Sequence, residues 1–167
     1  SPGVRQVSGM EKVAIAAVDN ERNRMKVHSV RKPVSRVLDT EHFAMNYFEL
    51  ETGESFSGGL HRHNDQEEVF YVESGTATFE VGLDREEVVV ESGELIRFPP
   101  GEFQKGYNDD EATVEGWALG APGAMHDWDE LQSRAYCPEC EDEKTHDMAF
   151  VEGTFELTCT ECGTTQG

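Results

Sequence analysis

His61-Arg62-His63-Asn64-Asp65-Gln66-Glu67-Glu68, followed by the apolar run Val69-Phe70-Tyr71-Val72 and by Gly75, is the stretch that decides the fold. Side chains alternate along an extended strand, so histidines at i and i+2 project from one face. A carboxylate arriving on the next strand can join the two imidazoles around one metal ion. Imidazole plus carboxylate suits zinc, iron, manganese, nickel or copper, so the residue types alone do not select the ion.

Upstream, Phe43 to Leu50 reads as a strand with Ala44, Asn46, Phe48 and Leu50 on one face and Phe43, Met45 and Tyr47 on the other. Both faces are largely apolar, as expected where a second layer covers the sheet. Val13 to Val18 is apolar but too short for its period to separate strand from helical turn. Downstream, Glu73-Ser74-Gly75, Leu83-Asp84-Arg85, Glu91-Ser92-Gly93-Glu94, Pro99-Pro100-Gly101 and Asn108-Asp109-Asp110 break the chain at regular intervals. Between them lie Thr76 to Val81, Glu87 to Val90, Leu95 to Phe98 and Thr113 to Leu119. Short β-branched and aromatic runs between such turns predict an all-β sandwich or barrel. Near Ala121-Pro122-Gly123 the composition changes, and Asp127 to Leu131 is predicted as a single capped helical turn.

The 167 residues suffice for one core plus a small appendage, and 37% hydrophobic content supports it. The charge is extreme: 14 basic against 34 acidic residues, net −20. Such a surface repels nucleic acid and anionic membranes, and it points to a halophilic source. Residues 1–36 carry eight of the basic and three of the acidic residues, a basic arm of net +5 on a body of net −25. No run approaches the length of a membrane helix, so a cytoplasmic protein is expected. Residues 1–9, ahead of Met10, are read as an expression-derived leader. The remaining units are an arm over 10–36, a barrel over 37–122, a linker over 123–136 and a cysteine-bearing unit over 137–163.

The barrel region resembles the cupin superfamily of small jelly-roll barrels. Its first motif, G-x5-H-x-H-x3,4-E-x6-G, is matched by His61, His63, Glu68 and Gly75, with Ser55 at the first glycine position. Glu67 fits the shorter spacing, but Glu68 leaves six residues before Gly75 and shares a strand face with Phe70 and Val72. The second motif, G-x5-P-x-G-x2-H-x3-N, is matched by Gly93, Pro99, Gly101 and Asn108, with Gln104 in place of histidine. The resemblance implies a divalent metal (zinc, iron, manganese or nickel) on His61, His63 and Glu68. Gln104 is either a fourth ligand, as in similar sets of metal-dependent phosphomannose isomerases, or a donor to bound ligand or water. Phe48, Phe70, Phe79, Phe98 and Trp117 are expected to line an apolar cavity.

All four cysteines fall in two knuckles, Cys137-Pro-Glu-Cys140 and Cys159-Thr-Glu-Cys162, with 18 residues between them. Two such pairs flanking a hairpin over Met148–Val151 and Thr154–Leu157 resemble a zinc ribbon, with four thiolates on one structural zinc. Gly163 fits the tight reversal after the second knuckle. Glu139, Glu141, Asp142, Glu143, Glu152, Glu156 and Glu161 against Lys144 alone oppose nucleic-acid binding. The ribbon is expected to be separable from the barrel chemistry. His28, His42, His126 and His146 read as surface or capping residues, while Arg97 and Tyr107 flank Gln104 and are candidates to reach the pocket.

Two function classes follow. One is a metal-dependent enzyme on a small organic molecule, of dioxygenase or isomerase/lyase type, with Glu67 and Tyr107 as candidate proton carriers. The other is a non-catalytic module that senses a metabolite or metal and signals through the ribbon to a protein partner. A homodimer is expected, with residues 11–36 lying along their own body or the partner's.

Overall fold

The computed structural model describes residues 3–23, 25–125 and 130–167. A hairpin of β1 (Arg5–Val7) and β2 (Met10–Lys12) precedes two larger antiparallel sheets. The first runs β3 (Val30–Lys32), β4 (Ala44–Leu50), β11 (Val114–Ala121), β6 (Glu67–Ser74), β9 (Leu95–Phe98). The second runs β15 (Thr165–Gln166), β14 (Thr154–Cys159), β13 (Asp142–Val151), β12 (Leu131–Cys137), β5 (His61–His63), β10 (Gln104–Tyr107), β7 (Thr76–Val81), β8 (Glu86–Glu91). The all-β architecture is therefore as the turn pattern requires, and its two sheets form the jelly roll that the resemblance implies. Among the described residues the one α-helix, α1 (Val34–Val37), is a single turn, and no helix is long and apolar enough to cross a membrane.

Alternation sets what each strand buries. Phe48 and Leu50 of β4, Phe70 and Val72 of β6, Ala77 and Phe79 of β7 and Phe98 of β9 meet inside the barrel with Phe56. Ring centroids of Phe56, Phe70, Phe79 and Phe98 lie 5.0–6.1 Å apart. These rings fill the barrel against one another, so the apolar cavity expected from Phe48, Phe70, Phe79 and Phe98 is a packed core. Trp117 belongs to neither. It sits on the outer face of β11, edge-on to Tyr47 at 5.2 Å. Gly75, at φ +81°, turns β6 into β7, where an added Cβ would stand 2.5 Å from Thr113 O.

The doubly apolar β4 is explained by the arm. Val18, Val34 and Tyr47 are buried together, with Val13, Val30, Val37, Leu38 and Trp117 packed around them. The arm thus lies on its own barrel. The apolar run ahead of Val18 resolves into a 3₁₀ turn, Ile15–Ala17, and β3 ends just before Pro33 at a sheet edge, where a missing N–H costs nothing. His28, expected at the surface, is buried; its Nδ1 lies 3.2 Å from Ser55 O and its Nε2 accepts from Asn23 N–H. Burial of Val18 outweighs the exposed Arg36–Glu21 pair, which is worth about 0–1 kcal/mol. Deleting residues 1–28 should therefore cost about 2–3 kcal/mol, a Tm fall of roughly 4–10 °C. The fall should be nearly the same at low and high salt, whereas a loss confined to low salt would show long-range charge attraction to dominate.

The segment expected as a linker departs most from expectation. His126, Asp127, Trp128 and Asp129, which carry most of the expected helical turn, lie outside the described residues. Leu131 opens β12, which pairs with β5 through Leu131–His63, Gln132–Arg62 and Ser133–His61. The cysteine-bearing strands therefore extend the barrel's own sheet.

Candidate metal centres

β5 presents His61 and His63 from one face, their ring centroids 5.2 Å apart. His61 Nδ1 lies 2.9 Å from Gly59 O and 3.2 Å from Ser57 Oγ. A carbonyl only accepts, so Nδ1 carries the proton and Nε2 offers its lone pair. From β6, Glu68 points inward with Phe70, its Oε2 3.7 Å from His63 Nε2. Ligand atoms of His61, His63 and Glu68 all lie within 4.8 Å of one another. Donor atoms around an ion with bonds of about 2.1 Å stand about 3–4.2 Å apart, so small side-chain adjustments close the set.

Gln104, 1% exposed, completes the cluster from β10. Its Nε2 donates to Glu68 Oε1 at 2.7 Å and stands 3.3 Å from His61 Nε2. The amide nitrogen faces the ligand atoms in this arrangement, and coordination through Oε1 requires the amide to turn over. Gln104→His should tighten Ni²⁺ or Cu²⁺ about tenfold or more if position 104 lies in the coordination sphere. Unchanged affinity in a competition titration would place it outside.

Burial pushes the Glu68 carboxyl up to about 7, against the opposing hydrogen bond from Gln104. Burial also lowers His61, against the hydrogen bond to Gly59. The metal-free site thus holds a neutral imidazole and a carboxyl that ionises near neutrality. A raised carboxyl favours the metal-free fold at low pH and loses that advantage as pH rises through 7. Metal needs the carboxylate, so affinity runs the opposite way. It should fall about tenfold per pH unit below pH 7 and level off above, as measured by Mn²⁺ titration between pH 5.5 and 8.5. A flat profile would mean that Glu68 carries no proton to displace.

The other candidates are not brought to this cluster. Glu67 is on the opposite face of β6 from Glu68, and its carboxylate accepts from Arg97 Nε at 2.8 Å on the outside. Tyr107, three residues from Gln104 on β10, likewise faces out; its hydroxyl donates to Glu87 Oε1 at 3.1 Å. A period of two puts residues an odd number apart on one strand on opposite faces, so Glu67 and Tyr107, the candidate proton carriers, face away from this cluster, as does Arg97, which is exposed beside buried Phe98. Glutamine is usually exposed, and nothing in its residue type marks Gln66. It is buried and donates to Pro122 O at 2.7 Å, tying the end of β11 to the turn between the metal strands.

The second cluster lies where β12 ends and β13 begins. Cys137 and Cys162 Sγ are 3.5 Å apart, Cys140 and Cys159 Sγ 4.0 Å, and all four lie within 4.8 Å of one another. Four sulfurs at about 2.3 Å around a tetrahedral ion are about 3.8 Å apart, so the cysteines fit zinc and leave no open position. Each knuckle is followed by a left-handed residue, Glu141 at φ +53° and Gly163 at φ +76°. Gly163 N–H donates to Cys159 O at 3.0 Å, closing the second knuckle. The Thr164 hydroxyl beside Cys162 Sγ holds that thiol down at about 6. His146, expected at the surface, is buried in β13, its Nδ1 2.9 Å from Lys144 O. His42 is exposed as expected.

Residues 46–116 match the family model described as Cupin domain. No curated protein matches the chain. Among solved structures, the fold is similar to a sugar phosphate isomerase from a cupin superfamily of Silicibacter pomeroyi, at 17% identity and TM-score 0.64, covering 93% of this chain and 97% of that one. It is similar also to a putative sugar phosphate isomerase from Acidithiobacillus ferrooxidans, at 18% identity and TM-score 0.62, covering 90% and 89%. The polyketide cyclase RemF from Streptomyces resistomycificus gives 22% identity and TM-score 0.57 over 68% of this chain and 79% of that one. The cupin superfamily is thereby supported for the barrel, and at these identities the likeness is one of fold.

Proposed function

We propose that the chain is a divalent-metal-dependent enzyme of isomerase or lyase type, acting on a small hydroxy-carbonyl molecule, with a structural zinc in its ribbon. The observation that carries this reading is the convergence of His61, His63, Glu68 and Gln104 at one end of a packed aromatic core. His61, His63 and Glu68 would hold the ion, which when bound polarises a carbonyl or hydroxyl oxygen as a Lewis acid. His61 keeps its Nε2 aimed by the bond to Gly59. The Gln104 amide hydrogens are placed to hold an oxygen beside the ligand atoms, and Phe98 and Phe70 keep water from the inner side. The isomerase type is preferred to the dioxygenase type because the structures named as sugar phosphate isomerases share nearly the full length of this chain. Four thiolates on zinc and a strongly acidic surface fit a reducing, cytoplasmic and salt-rich setting, and a homodimer remains part of this proposal.

The test is elemental analysis followed by proton NMR of aldose and ketose panels in D₂O. A second metal beyond the ribbon zinc, with deuterium entering next to the carbonyl, is expected. One metal per chain, held by the cysteines, overturns the reading. Oxygen uptake instead would move the assignment to the dioxygenase type. A second reading, a metabolite- or metal-sensing module, draws on the pairing of β12 with β5, which gives a bound ion a direct route to the ribbon. A metal-loaded protein without turnover that captures a protein partner only in the loaded form would favour it.

A further inference from the structure

β5 is three residues long, and the barrel holds it by less than its other neighbour does. One residue pair, His61–Gln104, joins it to β10, and Gly101 N–H donates to His63 O at 2.7 Å, against three pairs to β12. Asn64 N–H donates to Glu130 O at 2.8 Å and Arg134 N–H to Leu60 O at 2.9 Å, extending the ladder at both ends. The side chains repeat the pattern. Gln132 Oε1 accepts from Arg62 Nε at 2.8 Å and Nη2 at 2.5 Å, and from Asn64 Nδ2 at 3.3 Å. Gln132 Nε2 donates to Asp147 Oδ1 at 2.7 Å on β13. Arg62, the residue between the two histidines, also lies 4.7 Å over the ring of Phe103, which precedes Gln104. β12 then runs directly into Cys137, whose sulfur is one of the four at the zinc cluster.

We propose that the two metal centres are coupled through β12: zinc on the cysteines sets the affinity of the histidine site, with Gln132 as the positioning residue between them. The inference rests on the reading of His61, His63 and Glu68 as a metal site. Without zinc the ribbon loses its fold, because so short a unit buries too little apolar surface to hold itself together. β12 then loses its partner β13, and the peptide groups around Arg62 lose theirs. The two imidazoles are no longer pre-set at strand spacing, and a barrel ion must order them as it binds. Linkage is reciprocal, so a barrel ion tightens the ribbon zinc by the same factor.

The experiment uses the full chain with Mn²⁺ as the barrel probe. Cys140→Ser with Cys162→Ser removes zinc without altering β12, and Gln132→Ala leaves every ligand of both sites in place. The cysteine variant should bind Mn²⁺ at least tenfold more weakly, with at least tenfold faster hydrogen–deuterium exchange over residues 60–64. Gln132→Ala should retain zinc and shift both readouts the same way by threefold or more. Mn²⁺ loading of wild type should slow zinc transfer to a chelator, and His61→Ala with His63→Ala should abolish that slowing. Mn²⁺ affinity and exchange within twofold of wild type in the zinc-free variant would overturn the coupling while leaving the metal-site reading intact. Failure of wild type to bind Mn²⁺ at all would instead remove the reading beneath it.

Discussion

His61→Ala combined with His63→Ala should cut the metal content from two ions per chain to one, leaving the ribbon zinc. The residual ligands would be Glu68 and the neutral amide of Gln104, too few and too weak to retain a divalent ion against water. Removing the imidazoles also leaves Glu68 buried with one partner, the Gln104 amide at 2.7 Å. Its carboxyl, pushed up to about 7 by burial, is only partly ionised at neutrality, which weakens it further as a lone charged ligand. The fold should survive, since the aromatic core is made by Phe56, Phe70, Phe79 and Phe98 and does not include either histidine. Elemental analysis beside far-ultraviolet circular dichroism checks both halves. An unchanged second ion in a folded double variant would mean that the barrel metal sits elsewhere.

The second large effect concerns Cys137→Ser. Apparent binding energies of structural zinc in zinc-finger peptides run about 10–16 kcal/mol near neutral pH, and in so small a unit such energy is folding energy. In β12 to β15 the buried groups are few: Leu131, Cys137, His146 and Cys159. Phe150 and Val151 at the hairpin tip are exposed and cannot compensate. Loss of one thiolate should release zinc and open residues 138–166 to protease within minutes, while residues 43–121 stay resistant. The ribbon's shared sheet makes complete independence of the two units a poor expectation. Fraying should reach back along β12 toward Arg62 and stop at the barrel, where β10 pairs with β7 over four residues. Protease resistance equal to wild type would show that the ribbon folds without its metal.

Much of this was readable without coordinates because it depends on local periods. The spacing His61-x-His63 followed by Glu68 puts three donors on inward faces of two consecutive strands, β5 and β6, which lie in the two different sheets. The two CxxC pairs bring four sulfurs together through the reach of a knuckle, and Gly163 marks its reversal. The two-sided apolar pattern of Phe43 to Leu50 announced a cover for that sheet, which the arm supplies. The same period of two already separates Tyr107 from Gln104 and Glu67 from Glu68, so their outward placement was also implicit. What only the tertiary structure decided is nonlocal. Gln132 meets Arg62 across 70 residues of chain, and no local pattern distinguishes a strand that joins the barrel sheet from a linker. Whether phenylalanines line a cavity or fill a core depends on how four strands bring their rings within van der Waals range. The orientation of the Gln104 amide is set by the two acceptors it finds, His61 and Glu68. These were settled by pairing and burial, which act between residues that the sequence keeps far apart.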